Sequence, residues 1–146
     1  MTEADVQRLL SERKITRVEP DLVTALEEIA TARRHIAAAA KIAELDPTLA
    51  FTGLYDAMRK AIQAHMRANG YRVSKGTGGH RKTGEYARAA LDGLDVGPHL
   101  DEFDALRQLR NQSEYEALFV QQEDVEQALE HAQAIVDAVA VVLARS

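Results

Sequence analysis

The segment Arg107–Tyr115 carries side chains suited to binding an anion. Arg110 follows Phe103 by seven residues and Leu106 by four, so a helix would place all three on one face. A guanidinium keeps its charge at every physiological pH, and burying it without an acceptor is costly. Glu114, four residues later, is one candidate acceptor within the chain. The alternative is an anionic ligand, since a guanidinium can bind a phosphate through two parallel hydrogen bonds.

The stretch Gly70–Lys82 is a second candidate anion site. It combines closely spaced glycines with four basic residues and His80, and this composition predicts a mobile surface loop. Thr83 is suited to cap the helix that follows, whose N-terminus would add to the positive potential. The alternative is a solvated loop without a ligand. The candidate phosphate-binding residues are therefore Arg110, Asn111, Arg107, Lys75, Arg81 and Lys82.

Several other kinds of chemistry find no support in the sequence. The chain has no cysteine, which excludes disulfides, thiolate metal sites and a cysteine nucleophile. The remaining histidines show no spacing typical of metal ligands; they are His35, His65, His99 and His131. We therefore expect no metal and no cofactor.

The elements that must position these residues are helices. Alanine is abundant, and no stretch alternates apolar and polar residues for more than a few positions, so we expect an all-α fold. A short first helix should end near Lys14, and Pro20-Asp21 should open a long helix with Leu22, Leu26 and Ile29 on its buried face. That helix should end at about Leu45, where Asp46-Pro47-Thr48 marks a stop and a new start, and Gly70 should cap the next helix after about Asn69. Further helices are predicted over about 83–91, from about His99 towards Tyr115, and over about 123–143.

The predicted architecture is an up-and-down bundle of four to five main helices with a short N-terminal helix. Short connections between long helices favour antiparallel neighbours. We expect residues 1–20 to form an N-terminal helical extension and residues 21–146 to form the bundle.

The charge distribution favours an anionic ligand for the middle of the chain. Residues 51–91 hold eight Lys and Arg against two acids, whereas residues 92–146 hold three against twelve. A basic block inside a chain of net charge -5 is typical of a segment that meets an anion.

Nothing in the sequence predicts association with a membrane. The longest apolar stretch, Ala132–Ala144, is interrupted by Gln133 and Asp137 and is shorter than the roughly 18 residues of a spanning helix. The first ten residues carry acids where a signal peptide would carry basic residues. We therefore expect a cytoplasmic location.

The order of these features resembles the HEPN domain superfamily. The resemblance spans roughly residues 21–146 and rests on a long alanine-rich helix, a second helix reading Leu54-Tyr55-Asp56-Ala57-Met58-Arg59-Lys60-Ala61, a Gly/His loop, and Arg110-Asn111 followed by Glu114-Tyr115. It implies a compact helical bundle. Many members of the superfamily are RNA-cleaving toxins or defence effectors.

The family signature is an arginine, a polar residue and then a histidine a few positions later. Arg110 matches the arginine and Asn111 the polar residue, but Tyr115 stands where the histidine is expected. Tyrosine, with a pKa near 10, is a poor general base at neutral pH. The resemblance thus implies that Arg110 stabilises charge on a phosphate, that Asn111 positions the RNA, and that Tyr115 or His80 handles protons.

Two hypotheses for the function follow. The first is an RNA- or nucleotide-binding protein of a toxin-antitoxin or phage-defence system, with metal-independent endoribonuclease activity and a degenerate active site. The resemblance also implies a homodimer, which the small residues 37–40 would permit, with Arg110 of both protomers at a shared cleft and with a cognate antitoxin protein as partner. The alternative is a non-catalytic helical module for protein-protein interaction.

Overall fold

A computed structural model describes residues 3–115 and 120–145, which form six α-helices and one small sheet. In chain order the elements are α1 (Glu3–Ser11), β1 (Ile15–Arg17), α2 (Leu22–Ile42), α3 (Pro47–Asn69), β2 (Tyr71–Val73), α4 (Gly79–Leu91), a 3-10 turn (Asp92–Leu94), α5 (Gly97–Tyr115) and α6 (Gln122–Ala144). The predicted all-α bundle with a short first helix is confirmed.

Local signals set the limits of α2 and α3. The Asp21 carboxylate accepts a hydrogen bond from the Thr24 backbone N–H at 3.0 Å, and Asp46 does the same for Leu49. Such caps satisfy N–H groups that lack partners inside the helix. Gly70 ends α3 in the left-handed conformation (φ 83°), which only glycine adopts at little cost.

Helix α3 lies at the centre of the bundle. Its buried residues contact α2, α6, α5 and α4, and they include the fully buried Phe51, Leu54, Met58 and Ile62. On α2 the buried face is Ala25, Ile29, Ala32, Ile36 and Ala39. Leu26, expected on that face, is 46% exposed, because the close approach of α2 to α3 favours alanines at the contact.

One small sheet accompanies the helices, and the sequence did not predict it. β1 and β2 pair antiparallel, with Ile15 opposite Val73 and Arg17 opposite Tyr71. Val18 extends the pairing through a 2.9 Å bond from its N–H to the Gly70 carbonyl. Three residues per strand are too few to show alternation in a sequence, although β-branched and aromatic residues dominate both.

The segment before α4 is shorter than the predicted loop. Residues 71–73 belong to β2 and α4 already begins at Gly79, so only residues 74–78 connect the two elements. Thr83 does not cap α4 but lies inside it, buried, where its hydroxyl donates to the Gly79 carbonyl at 2.8 Å. The sequence did not predict that α4 starts at Gly79, because three glycines lie at residues 76–79 and glycine is a poor helix former.

Helix α6 is, within the described residues, the one helix long and apolar enough to cross a membrane by length and composition alone. Gln133 and Asp137 interrupt the apolar run of α6, but they do not exclude a membrane-spanning helix, contrary to the sequence analysis. Seven of its residues are buried, among them Val125, Ala132 and Val139, and they pack mainly on α3. Core helices of bundles meet the same criterion, so this is weak evidence for a span.

The first helix packs on the remainder of the chain. Val6 and Leu9 of α1 are buried in the same apolar cluster as the bundle, and α1 contacts α4. Lys14, just after α1, pairs with Glu85 of α4 at 3.1 Å. The division into an extension and a bundle at residue 20 stays a prediction.

Candidate functional site

The candidate site begins at the N-terminus of α4. Gly78, immediately before this helix, has φ 78°, a left-handed conformation that glycine adopts without strain. Its carbonyl accepts from the Lys82 N–H at 2.9 Å, which closes the first helical turn. The glycine before α4 thus lets the chain turn sharply into the helix, with His80 in its first turn.

His80 is held against α3 by Tyr55. The Tyr55 hydroxyl and the Nδ1 atom of His80 lie 3.2 Å apart, and the Tyr55 ring stacks on Phe103 of α5 at 5.3 Å between centroids. Tyr55 is almost completely buried. When Nδ1 carries no hydrogen, the hydroxyl donates to it and the imidazole hydrogen resides on Nε2. Tyr55 therefore links α3, α4 and α5 at one point.

The sequence analysis used Tyr55 only as part of the family resemblance and did not predict it as a site residue. The signal was present: a tyrosine on the buried stripe of a helix needs a partner for its hydroxyl. The sequence did not indicate which residue that partner is.

Two contacts join α4 to α5 near the candidate site. Arg88 of α4 bonds Asp101 of α5 at 2.8 Å. His80 of α4 and Phe103 of α5 both contact the Tyr55 ring, so this part of α5 lies beside the start of α4.

The predicted motif lies on the last two turns of α5. Arg110, Asn111 and Tyr115 belong to this helix, but their side chains lie outside the described residues. Positions 110 and 115 are about 140° apart around a continuous helix, so they do not share a face. The structure thus places the motif about two turns beyond Phe103, on the helix whose Phe103 ring contacts Tyr55.

The basic residues at the start of α4 are not neutralised by described acids. Lys75 and Arg81 are exposed and Lys82 is half-buried. Among the carboxylates whose side chains the structure describes, which exclude those of Asp92, Asp104 and Glu114, none forms an ion pair with any of these three. Lys75, Arg81 and Lys82 can therefore attract an anion from solution. Arg107, one turn before Arg110, is half-buried.

His65 is paired with a tyrosine inside the fold. The His65 Nδ1 and the Tyr86 hydroxyl lie 2.8 Å apart and join α3 to α4. Burial lowers the pKa of His65 to about 4. Burial also raises the pKa of Tyr86 well above its usual value. Both groups are therefore neutral at physiological pH, and their bond is structural.

His99 of α5 and His131 of α6 face each other with their Nδ1 atoms 2.8 Å apart. Burial, and next the charge of His99, lowers the pKa of His131. No group of three or more histidine or acidic side chains that could hold a metal ion occurs in the described part of the chain. His99 and His131 lie 32 residues apart in the chain, and the sequence did not predict their contact.

Comparisons with known proteins identify the family. Residues 24–142, most of the chain, match the family model of the HEPN domain. No curated protein and no solved structure match the chain. The chain therefore belongs to the HEPN domain family, which points to a nucleotide- or RNA-related function.

Proposed function

We propose that this protein binds single-stranded RNA with the segment formed by the start of α4 and the second half of α5. The observation that carries the proposal is the set of cations Lys75, Arg81 and Lys82, which form no ion pair with a described acidic side chain and lie at or just before the start of α4. A guanidinium, ammonium groups and a helix N-terminus all favour phosphate. In this proposal Arg110 and Asn111 bind the phosphate and the other cations follow the backbone.

The position of His80 favours RNA cleavage as a second function of the same segment. The 2′ oxygen of a ribose attacks the adjacent phosphorus, and the bond from phosphorus to the 5′ oxygen breaks. In the tautomer with its hydrogen on Nδ1, His80 donates that hydrogen to the Tyr55 oxygen, and its unprotonated Nε2 accepts the 2′ proton while water supplies a proton to the leaving 5′ oxygen. Arg110 stabilises the charge that develops on the phosphate. Imidazole replaces the tyrosine as the proton-transfer group because its pKa lies near neutrality.

RNA binding is tested by fluorescence anisotropy with a labelled 20-nucleotide oligouridine. Arg110→Ala should weaken binding about tenfold or more, since hydrogen bonds to charged groups contribute about 1.5–3 kcal/mol. The control is Lys41→Ala, which removes an exposed cation from α2 and should leave the affinity unchanged. A wild-type chain without affinity at 50 mM salt, or equal losses in both variants, contradicts the proposal.

Cleavage is tested separately with the same RNA in excess EDTA. The wild type should produce 2′,3′-cyclic phosphate and 5′-hydroxyl ends, and a 2′-O-methyl RNA should resist. His80→Gln should lower the rate at least a hundredfold while affinity stays within about twofold, since general acid-base catalysis contributes about 10²–10⁴. Tyr115→Phe should retain the rate. Binding without cleavage in the wild type leaves the RNA-binding proposal intact and rejects the enzyme.

The biological role we propose is that of a toxin in a toxin-antitoxin or phage-defence system, with a cognate protein as partner. The support is membership of the family. Induced expression should arrest bacterial growth, and Arg110→Ala should relieve the arrest. Equal growth of cells expressing the wild type and the variant would reject this role.

A further inference from the structure

The α2–α3 hairpin carries an open groove of about 310 Å³ that has an apolar part and a polar end. The apolar part lies near the turn between the two helices and is lined by Ala38, Ala39, Ile42 and Leu49. Leu49 leaves 57% of its surface in contact with water. A mainly apolar groove of this volume with a few polar groups at one end is typical of a site for a small molecule.

The polar end of the groove is formed by His35 of α2 and Asp56 of α3. The His35 Nδ1 lies 3.0 Å from one carboxylate oxygen of Asp56, and the Lys60 ammonium lies 3.7 Å from the same oxygen. Arg59 bonds the other oxygen. Both oxygens of Asp56 are therefore already in contact with basic groups of this chain.

The polar end has an excess of positive charge. Asp56 brings one negative charge, whereas Arg59 and Lys60 bring two positive charges. His35 adds a third when it is protonated. In the described part of the chain, Asp56 is the one acidic residue that lines the groove. An anionic head group would therefore be attracted to this end, whereas a cationic head group would find both oxygens of Asp56 occupied.

We propose that this groove binds a free aliphatic carboxylate of about eight to ten carbons. The carboxylate lies beside Lys60 and His35, and the chain follows the apolar part towards Leu49. Asp56 lies seven residues after Leu49, which is about 10 Å along the helix. A volume of about 310 Å³ corresponds to about ten groups of the size of a water molecule, at about 30 Å³ each, and a methylene group is of similar size.

The groove is separate from the proposed RNA site. Every described residue that lines the groove belongs to α2 or α3, whereas the proposed RNA site is formed by α4 and α5. A carboxylate can therefore occupy the groove whether or not RNA is bound. A chain that binds no RNA should still bind the carboxylate, so the two proposals can fail independently.

A ¹H–¹⁵N NMR titration of the full chain with sodium octanoate tests the proposal. The amide signals of Ala38, Ile42 and Gly53 should shift, because these residues line the groove. Octan-1-ol and octylamine have the same chain without the negative charge, so both should bind about threefold more weakly or worse. Hexanoate should bind about 10- to 20-fold more weakly than octanoate, because each buried methylene group contributes about a factor of four.

Ala38→Glu and Ala37→Glu form a matched pair of variants. Both alanines are exposed on α2 and gain the same charge, but only Ala38 lines the groove. Ala38→Glu should weaken octanoate binding about tenfold or more, whereas Ala37→Glu should stay within about threefold of the wild type. Lys60→Gln should weaken octanoate binding about 3- to 10-fold and leave that of octan-1-ol within about twofold. Equal losses in the two glutamate variants, octylamine binding as tight as that of octanoate, or no shift of the groove signals at about 5 mM octanoate would overturn the proposal.

Discussion

Tyr55 lies in the centre of α3 with its ring between His80 and Phe103. Its hydroxyl lies 3.2 Å from Nδ1 of the imidazole, and which of the two groups donates depends on the tautomer of His80. A buried residue on the central helix thus defines the orientation of a half-buried residue at the surface. Tyr55 is a positioning residue in the proposed site.

Tyr55→Phe should change the tautomer of His80. Without the hydroxyl, an Nδ1 hydrogen has lost its acceptor, so a larger share of the neutral imidazole should carry its hydrogen on Nε2. Two-bond ¹H–¹⁵N spectra of the histidine rings measure this share. Tyr71→Phe, which removes a hydroxyl that contacts neither His80 nor Phe103, should leave the His80 signals unchanged. Identical His80 spectra in both variants would show that Tyr55 does not set the tautomer.

His65 should make the fold sensitive to acid. Its pKa is about 4 in the folded state and about 6.5 when unfolded, so the unfolded chain binds the proton first as pH falls. Stability from this group is fully present above pH 6.5 and decreases as pH falls towards 4, by up to about 3 kcal/mol. Urea unfolding at pH 7, 6 and 5 measures the loss.

The matched variant for this measurement is the double substitution His65→Leu with Tyr86→Phe. Replacing both partners by apolar groups avoids leaving either one buried and unpaired. Its stability should change less between pH 7 and pH 5 than that of the wild type. Equal changes in the two proteins would show that His65 does not cause the acid sensitivity.

At the scale of elements, local signals predicted α2 and α3 well. Asp21, Asp46 and Gly70 act within a few residues of their own position, so the sequence alone identifies them as helix limits. The β1–β2 pair depends on residues 58 apart in the chain, Ile15 and Val73, and no local pattern reports such a contact. The same reason explains why the partner of His80 was not predicted.

Gly70→Ala tests the junction between α3 and β2. The position has φ 83°, and a Cβ there would lie 2.9 Å from the Val18 carbonyl oxygen, so backbone must shift. The free energy of unfolding should fall by roughly 1–3 kcal/mol. Gly97→Ala is the control, because Gly97 lies in open space at the start of α5. Urea denaturation should show a change within about 0.5 kcal/mol for the control. Equal effects would contradict this account of Gly70.

At the scale of the whole molecule, the basic middle and the acidic C-terminal part are in contact. Arg88 of α4 pairs with Asp101 of α5 at the surface, so part of the charge segregation seen in the sequence is neutralised in the fold. Lys75, Arg81 and Lys82 form no ion pair with a described acidic side chain and leave an excess of positive charge near the start of α4. For the proposed RNA binding, the net negative charge of the chain would disfavour contact at other surfaces.

RNA affinity should fall steeply with salt. Four phosphate contacts, from Arg110, Lys75, Arg81 and Lys82, give a slope of about -3 in a plot of log affinity against log salt, because each contact contributes about 0.7 for a single strand. Between 50 and 200 mM salt the affinity should fall roughly fiftyfold. Lys75→Ala should reduce the slope by about 0.7. A slope near zero would show that RNA does not bind through these cations.

The β1–β2 pair fixes the place where RNA would meet the protein. Five residues, 74–78, connect Val73 with α4, and an extended chain of that length reaches at most about 18 Å. The basic start of α4 therefore remains within this distance of the sheet. In a ribonuclease protection experiment, the protein should therefore protect a few nucleotides of a bound RNA, and the protected length should be the same for different RNAs.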